Sequence, residues 1–141
     1  MSDLINSLPA QTAQDLNSDV VETAMTQAPK WTYVCRVADI VPNTGVCAKV
    51  GESQVAVFRL VSPSGEDEGI FALDNHDPRS GANVLSRGMV GDVAGEIVVA
   101  SPVYKNHFCL KTGRCLEDES WSVQPFAVRV SDDGMILVRE A

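Results

Sequence analysis

The chain has 141 residues and a formal net charge of −8 at pH 7. Nucleic acids and anionic membranes attract basic surfaces, so this charge argues against both as partners, and no apolar run is long enough to cross a bilayer. The N-terminus has no cation ahead of an apolar core, so we expect no secretory signal and a cytoplasmic protein with reduced thiols.

Residues 1–29 form a predicted N-terminal extension, because they lack the aromatic residues and glycines found in the rest of the chain. Apolar residues at near-helical spacing are Ala13, Leu16, Val20 and Ala24. A short amphipathic helix that Pro29 ends and a flexible tail that orders against a partner both fit this pattern.

From Lys30 onward, short β-runs alternate with turn residues. The predicted strands are 31–37, 45–50, 53–60, 69–73, 96–100, 125–130 and 135–139. Gly51-Glu52 is a two-residue hairpin signal, and 131–134 is the turn of a closing hairpin. Many short strands at regular spacing predict one all-β domain over residues 30–141, an antiparallel β-sandwich or a small barrel.

The four cysteines are Cys35, Cys47, Cys109 and Cys115. None lies in a Cys-x-x-Cys pair, so zinc-ribbon and thioredoxin-like sites have no support. A metal site that combines Cys109 and Cys115 with His76 or His107 is a minor alternative, because a free cysteine is most often a small core residue.

Residues 101–116 carry the most informative motif, SPVYKNHFCLKTGRCL. It resembles the second cluster loop of Rieske iron–sulfur domains, Cys-Pro-x-His-x-x-x-Phe-Asp-Leu-x-Thr-Gly-x-x-Leu. The positions in frame are Pro102, Phe108, Leu110, Thr112, Gly113 and Leu116. Ser101 stands at the Cys position and Tyr104 at the His position. The resemblance implies a Rieske-type [2Fe–2S] ferredoxin-like fold.

The four ligand positions of this frame are Asp74, His76, Ser101 and Tyr104, since Asp74-Asn75-His76 replaces the Cys-x-His of a first Rieske loop. A Rieske centre needs two thiolates and two imidazoles. Only His76 is retained, and ionising the phenol of Tyr104 at pH 7 costs roughly 4 kcal/mol, given a pKa of about 10. Oxygen donors suit iron–sulfur clusters poorly, so we predict no cluster and no metal in this chain.

Among Rieske-like proteins, the chain is similar to the small subunit of NAD(P)H-dependent nitrite reductase. The resemblance rests on the opening Trp31-Thr-x-Val-Cys35, the Leu-Asp-Asn-His-Asp-Pro78 loop and the Ser101-Pro-x-Tyr104 substitution. Members of that family have substituted cluster ligands. The resemblance implies a cytoplasmic, non-catalytic accessory subunit in nitrate assimilation, bound to a large subunit that reduces nitrite to ammonium.

That large subunit is expected to carry FAD, a [4Fe–4S] cluster and sirohaem. The chain itself has no dinucleotide-binding Gly-x-Gly-x-x-Gly motif and no four-cysteine cubane pattern, so we expect no cofactor in it. Two alternatives stay open: an electron-transfer ferredoxin with unusual ligands, and a Rieske-like interaction module of another oxidoreductase.

Individual residues receive narrower predictions. Hydrogen bonds among Asp74, Ser101 and Tyr104 could replace part of the metal–ligand energy. His76 is expected either to reach across to Ser101 or Tyr104, or to lie on the surface as an ordinary loop histidine. On that hypothesis, Tyr104→Phe lowers stability by roughly 1 kcal/mol. Ser101, His76 and Asp74 have the residue types of a hydrolytic triad, but Pro102 removes the oxyanion donor after Ser101. Trp121 is predicted as an interface anchor or, alternatively, as a lid over the sandwich edge.

Overall fold

The computed structural model describes residues 29–141, so the predicted helix or tail in the N-terminal extension lies outside the described residues. Within them the strands are β1 Trp31–Arg36, β2 Thr44–Val50, β3 Ser53–Val61, β4 Asp67–Asp74, β5 His76–Asp77, β6 Ala82–Asn83, β7 Met89–Val93, β8 Glu96–Ala100, β9 His107–Cys109, β10 Pro125–Phe126, β11 Val128–Val130 and β12 Met135–Arg139. Three short 3₁₀ turns cover Val37–Asp39, Leu85–Arg87 and Glu119–Trp121. No helix within residues 29–141 is long and apolar enough to span a membrane.

The strands form antiparallel sheets. A four-stranded sheet has the order β10-β4-β3-β2, and two three-stranded sheets have the orders β1-β12-β11 and β7-β8-β9. Strands β5 and β6 form a small separate ribbon. None of these sheets closes into a barrel within the described part of the chain, so the predicted antiparallel β-sandwich is confirmed and the barrel alternative is not.

Strand β3 is the centre of the domain, because it is buried on both faces. Side chains alternate across a strand, and here Val55 and Val57 enter one core while Ala56, Phe58 and Leu60 enter another. A continuous apolar run is what a strand between two packed layers requires. The four-stranded sheet therefore lies between two hydrophobic cores.

Each core takes its second wall from a different sheet. One core combines β3 with Ile136 and Val138 of β12, and the other combines it with Val99 of β8 and Phe108 of β9. All of these side chains are almost completely buried. Burying a side chain of this size contributes about 1.5–3 kcal/mol, so the two cores hold the three main sheets together.

The predicted strands agree with the observed ones except in three places. Strand β4 begins at Asp67, two residues before the predicted strand 69–73. The predicted strand 125–130 is divided, because Phe126 pairs with β4 whereas Val128 pairs with β12. Strands β5, β6, β7 and β9 were not predicted. The Gly51-Glu52 turn is confirmed, since Val50 pairs with Ser53 and Gly51 has a φ of +60°.

This topology places the two predicted cluster loops. The first loop, residues 74–80, follows β4, and the second loop, residues 101–106, connects β8 to β9. The amide of Ser101 donates to the carbonyl of Asn106 at 2.9 Å, which closes the second loop. The second loop is therefore closed by a backbone hydrogen bond between its two ends.

Gly113 ties the turn after β9 to the segment that carries Trp121. Its φ is +77°, and its carbonyl accepts a hydrogen bond from the Val123 amide at 2.8 Å. A Cβ at this position would collide with the Val123 carbonyl oxygen. Two separate constraints therefore require glycine here.

We expect Gly113→Ala to destabilise the domain more than Gly81→Ala. Gly81 has almost the same φ, +76°, but a Cβ there meets nothing within 4 Å. The left-handed backbone alone should cost about 1–2 kcal/mol at Gly81, and the collision at Gly113 should add about 1–3 kcal/mol. Urea denaturation of both variants measures the difference, and equal losses would show that the segment moves aside freely.

Candidate functional site

Asp77 joins the two loops. Its carboxylate is fully buried and accepts four hydrogen bonds. Oδ2 accepts from the hydroxyls of Ser101 at 2.6 Å and Ser80 at 3.0 Å. Oδ1 accepts from the amide side chain of Asn106 at 3.1 Å and the backbone N–H of Arg79 at 3.0 Å. Two of these donors come from the second loop, so one carboxylate connects both loops.

These bonds favour the ionised form of Asp77. Burial on its own raises the pKa of this carboxyl group, because it disfavours the charged form. The hydrogen bonds from Ser101, Asn106, the Arg79 amide and Ser80 outweigh that effect, and the pKa lies below its ordinary value. A fully accepted buried anion is stable only while its donors stay in place, so the four groups act together.

Asn75 is a second buried polar group in the first loop. Its Oδ1 accepts from the Ser86 amide at 2.7 Å, and its Nδ2 donates to the Asn83 carbonyl at 3.1 Å. Its own amide donates to Gln54 O, and its carbonyl accepts from the Leu85 amide. The side chain and backbone of Asn75 therefore fix the first loop to β3 and to the 3₁₀ turn at Leu85–Arg87.

His76 and Asp74 point away from this buried network. His76 is exposed, and its Nδ1 lies 2.9 Å from Oδ1 of Asn83. The Asp74 carboxylate accepts from the His76 amide at 2.9 Å, within the same loop. The prediction that His76 reaches Ser101 or Tyr104 is therefore wrong, and so is the prediction that Asp74 bonds across the loops.

Tyr104 is 55% exposed and packs on a cation. The Arg79 guanidinium carbon lies 4.8 Å from its ring centroid and 4.9 Å from that of Trp121. Within residues 29–141 the Tyr104 hydroxyl has no hydrogen-bond partner, so the predicted inter-loop bond from Tyr104 is wrong. Trp121 is partly buried and packs against the core that contains Phe108. Its role as an interface anchor stays a prediction.

The hydrolytic triad and the cysteine–histidine metal site considered from the sequence both lack the geometry that they need. The hydroxyl of Ser101 is buried and donates to Asp77, whereas His76 bonds to Asn83, so no hydrolytic triad is assembled. Cys109 and Cys115 are buried. In the described part of the chain, no three His, Cys, Asp or Glu side chains are grouped to hold a metal ion.

His107 lies outside this network. Its amide donates to Glu117 Oε1 at 2.8 Å, and its ring Nδ1 lies 2.7 Å from Glu117 Oε2. This pairing connects His107 of β9 to Glu117, which follows the second loop motif in the sequence.

Comparisons with known proteins identify the family of this chain. The family model described as a Rieske-like [2Fe–2S] domain matches residues 30–139. The NADH nitrite reductase small subunits of Escherichia coli K12 and Salmonella typhimurium are 44% and 46% identical over 110 residues, which are 78% of this chain and 97% of each relative. The chain belongs to the Rieske-like nitrite reductase small-subunit family.

A third relative is the NAD(P)H nitrite reductase large subunit of Klebsiella oxytoca. It is 38% identical over 117 residues, which are 83% of this chain but only 11% of that protein. A segment of that large subunit is therefore homologous to this small-subunit family.

Solved structures support the family and the fold. The crystal structure of a NADH-dependent nitrite reductase small subunit from Mycobacterium tuberculosis has a TM-score of 0.73 and 40% identity, covering 82% of this chain and 98% of that one. The ferredoxin of carbazole 1,9a-dioxygenase from Nocardioides aromaticivorans has a TM-score of 0.62 at 19% identity, covering 79% and 97%. The second likeness shows the Rieske-type fold alone.

The residues of this family member do not fit the cluster that the domain's description implies. Ser101 would have to give up its bond to Asp77 and ionise beside a buried anion. Tyr104 and His76 are exposed; the Tyr104 ring packs on Arg79, and the His76 ring is paired with Asn83. The Oδ1 atom of Asn106 is buried without a partner among the described residues, but a neutral amide oxygen is not an iron–sulfur ligand.

Asp77, Asn75 and Asn106 are the buried polar residues of the two loops that were not predicted from the sequence. The burial of Asn75 and Asp77 follows from strand alternation, because Leu73, Asn75 and Asp77 are buried while Asp74 is partly buried and His76 exposed. Continuing the period of β4 through the first loop would have placed Asp77 inside.

We expect Asp77→Ala to destabilise the protein by about 3–5 kcal/mol, because it leaves two buried and two partly buried donors without an acceptor. Asp77→Asn should cost only about 1–2 kcal/mol, since both serine hydroxyls can rotate to accept from the new amide. Asp74→Ala, which removes one local bond, is the control and should cost less than about 1 kcal/mol. Urea unfolding at pH 7 ranks the three variants.

The pH dependence tests the charge of Asp77 separately. Its pKa is lower in the folded than in the unfolded protein, so its contribution is complete above the unfolded-state pKa of about 4 and disappears as pH falls through the folded value. The stability gap between the wild type and Asp77→Asn should therefore be largest above pH 5 and shrink below about pH 4. A gap that stays constant would mean that the carboxylate is not charge-stabilised.

Tyr104→Phe should leave stability within about 0.5 kcal/mol of the wild type, because the ring stays on Arg79 and the hydroxyl bonds to no described residue. Thermal unfolding measures this. A loss near 1 kcal/mol would restore the inter-loop hydrogen bond predicted from the sequence.

Proposed function

We propose that the chain is the small subunit of a cytoplasmic NADH-dependent nitrite reductase, and that it binds and supports the large catalytic subunit without a redox centre of its own. The observation that carries this proposal is the 44–46% identity to small subunits over 97% of their length. Identity at this level across a complete relative supports a shared role as well as a shared fold.

The Klebsiella large subunit supports the choice of partner. A domain homologous to this chain occupies 11% of that polypeptide. Joining two domains covalently raises their effective concentration, which favours parts that work in contact. We infer that in this two-chain form the same contact is made non-covalently.

The proposal assigns the reaction to the partner. FAD, the [4Fe–4S] cluster and sirohaem are expected on the large subunit, where electrons from NADH reduce nitrite to ammonium during nitrate assimilation. This chain contributes binding, because its two cluster-type loops are closed by the Asp77 hydrogen bonds rather than opened to metal. A hydrogen-bonded site of this kind offers no orbital that accepts an electron reversibly.

Co-expression with the large subunit tests the proposal. We expect the two chains to co-purify, and we expect NADH-driven nitrite reduction to fall at least about tenfold, or about 1.4 kcal/mol, when the small subunit is left out. The isolated chain should contain no stoichiometric iron and show no visible absorption bands.

Two results would contradict the proposal in different ways. Full activity of the large subunit alone would favour an interaction module of another oxidoreductase. Uptake of two irons with reversible reduction would favour the ferredoxin alternative.

A Ser101→Cys, Tyr104→His double variant is a useful comparison, because it restores two cluster ligands and should still bind no cluster while Asp74 remains.

A further inference from the structure

Arg79 forms a distinct feature at the outer surface of the two loops. Its guanidinium lies on the rings of Tyr104 and Trp121, with 4.8 Å and 4.9 Å to the two centroids. The three residues come from the first loop, the second loop and the 3₁₀ turn at Glu119–Trp121. Contacts of this kind hold a long side chain in one orientation, so the cation is positioned before any partner binds.

The charge of Arg79 is unused within the described residues. Arg59 pairs with Asp67, and Arg114 pairs with Glu96, each at 3.0 Å or less. In residues 29–141 the Arg79 guanidinium has no carboxylate or carbonyl partner; its only bond to Asp77 is made by the backbone N–H. A planar guanidinium with free N–H groups is the best protein group for binding a carboxylate in two-point geometry.

Exposed apolar and basic residues flank Tyr104 in the second loop. Val103 is 45% exposed and Tyr104 is 55% exposed, next to Lys105. Trp, Tyr and Arg are the residue types that contribute most energy at protein interfaces. Lys105 has a φ of +65°, and its amide donates to the Ser101 carbonyl at 3.0 Å, which holds this surface in a fixed turn.

The sign of the charge is opposite to that of the chain. The net charge is −8, yet the exposed charged side chains in the two loops include Arg79 and Lys105. Of the two carboxylates in the loops, Asp77 is buried and Asp74 is bonded to the His76 amide. Three consecutive acidic residues, Glu117, Asp118 and Glu119, come shortly before Trp121 in the sequence. The cation is therefore local, and it matches a partner with a carboxylate at the centre of its contact.

We propose that Arg79, Val103, Tyr104, Lys105 and Trp121 form the surface that binds the large subunit, and that a carboxylate of that subunit pairs with the Arg79 guanidinium. This inference rests on the proposed function. The homologous segment within the Klebsiella oxytoca large subunit favours the large subunit as the occupant, and the net charge of −8 on each copy disfavours a second copy of this chain. The buried Asp77 network lowers the entropy lost on binding, since both loops are ordered beforehand.

Affinity measurements on the full-length chain test this surface. The dissociation constant for the purified large subunit should rise roughly 10- to 100-fold in Arg79→Glu and several-fold in Lys105→Glu, because both changes oppose the proposed carboxylate. Arg79→Lys keeps the charge but loses the planar fork, so it should fall between wild type and Arg79→Glu.

The fold provides a matched control. Arg129 lies 4.3 Å from the Trp31 ring centroid, so it is also an exposed arginine on a tryptophan, but it belongs to strand β11. Arg129→Glu should change the dissociation constant less than about twofold. Melting temperatures of all variants establish that each remains folded, and an Arg79→Gln variant replaces Arg79→Glu if the latter unfolds.

The outcomes separate the surface from the function. If the wild type does not bind the large subunit, both proposals are wrong. If the wild type binds and Arg79→Glu and Arg129→Glu behave alike, the function holds and this surface is wrong. The surface is also wrong if Arg79→Glu only dissolves a homodimer, or only exposes residues 1–28 to proteolysis, with unchanged affinity for the large subunit.

Discussion

The arrangement of the two loops depends on one buried carboxylate. Removing an anion such as Asp77 from water costs several kcal/mol, and only a complete set of donors compensates for it. The four hydrogen bonds supply that set, and they span both loops. The network therefore selects one arrangement of the two loops, because any arrangement that loses one donor leaves part of a charge uncompensated in the interior. A metal cluster imposes the same kind of constraint by covalent bonds, so a carboxylate can take over the geometric task without the redox task.

The four ligand positions of the Rieske frame differ in what they face. Tyr104 lies outside and packs on Arg79, while Ser101 turns inward and donates to Asp77. On the proposed function, the outer face of the loops serves contact with a partner and not electron transfer. One β-sandwich can host both roles, because the scaffold does not depend on the residues at these positions.

Sequence patterns predicted the fold well because most strands and turns have signals within a few consecutive residues. The run from Val55 to Phe58 is apolar on both faces, and the Gly51-Glu52 turn fixes its register with β2. The site was harder. Aligning the loops to a metal-binding frame identifies the positions that would face a metal, and Asp74 and His76 occupy two of them. In this structure neither side chain enters the buried network: Asp74 bonds within its own loop and His76 is exposed. The residues that connect the two loops are sequence neighbours of these ligand positions. The burial of Asp77 depends on two donors, Ser101 and Asn106, which lie 24 and 29 positions further along the chain.

A single residue links the buried network to the surface. Asp77 accepts a hydrogen bond from the backbone N–H of Arg79, and the side chain of Arg79 packs on the two aromatic rings. The position of the cation is therefore set from inside by hydrogen bonds and from outside by Tyr104 and Trp121. Because Trp121 also packs against the core that contains Phe108, the stack is connected to the buried interior of the domain. An exposed arginine normally loses considerable side-chain entropy when a partner immobilises it. Here the fold has already ordered it, so most of the interaction energy with a carboxylate remains available for affinity.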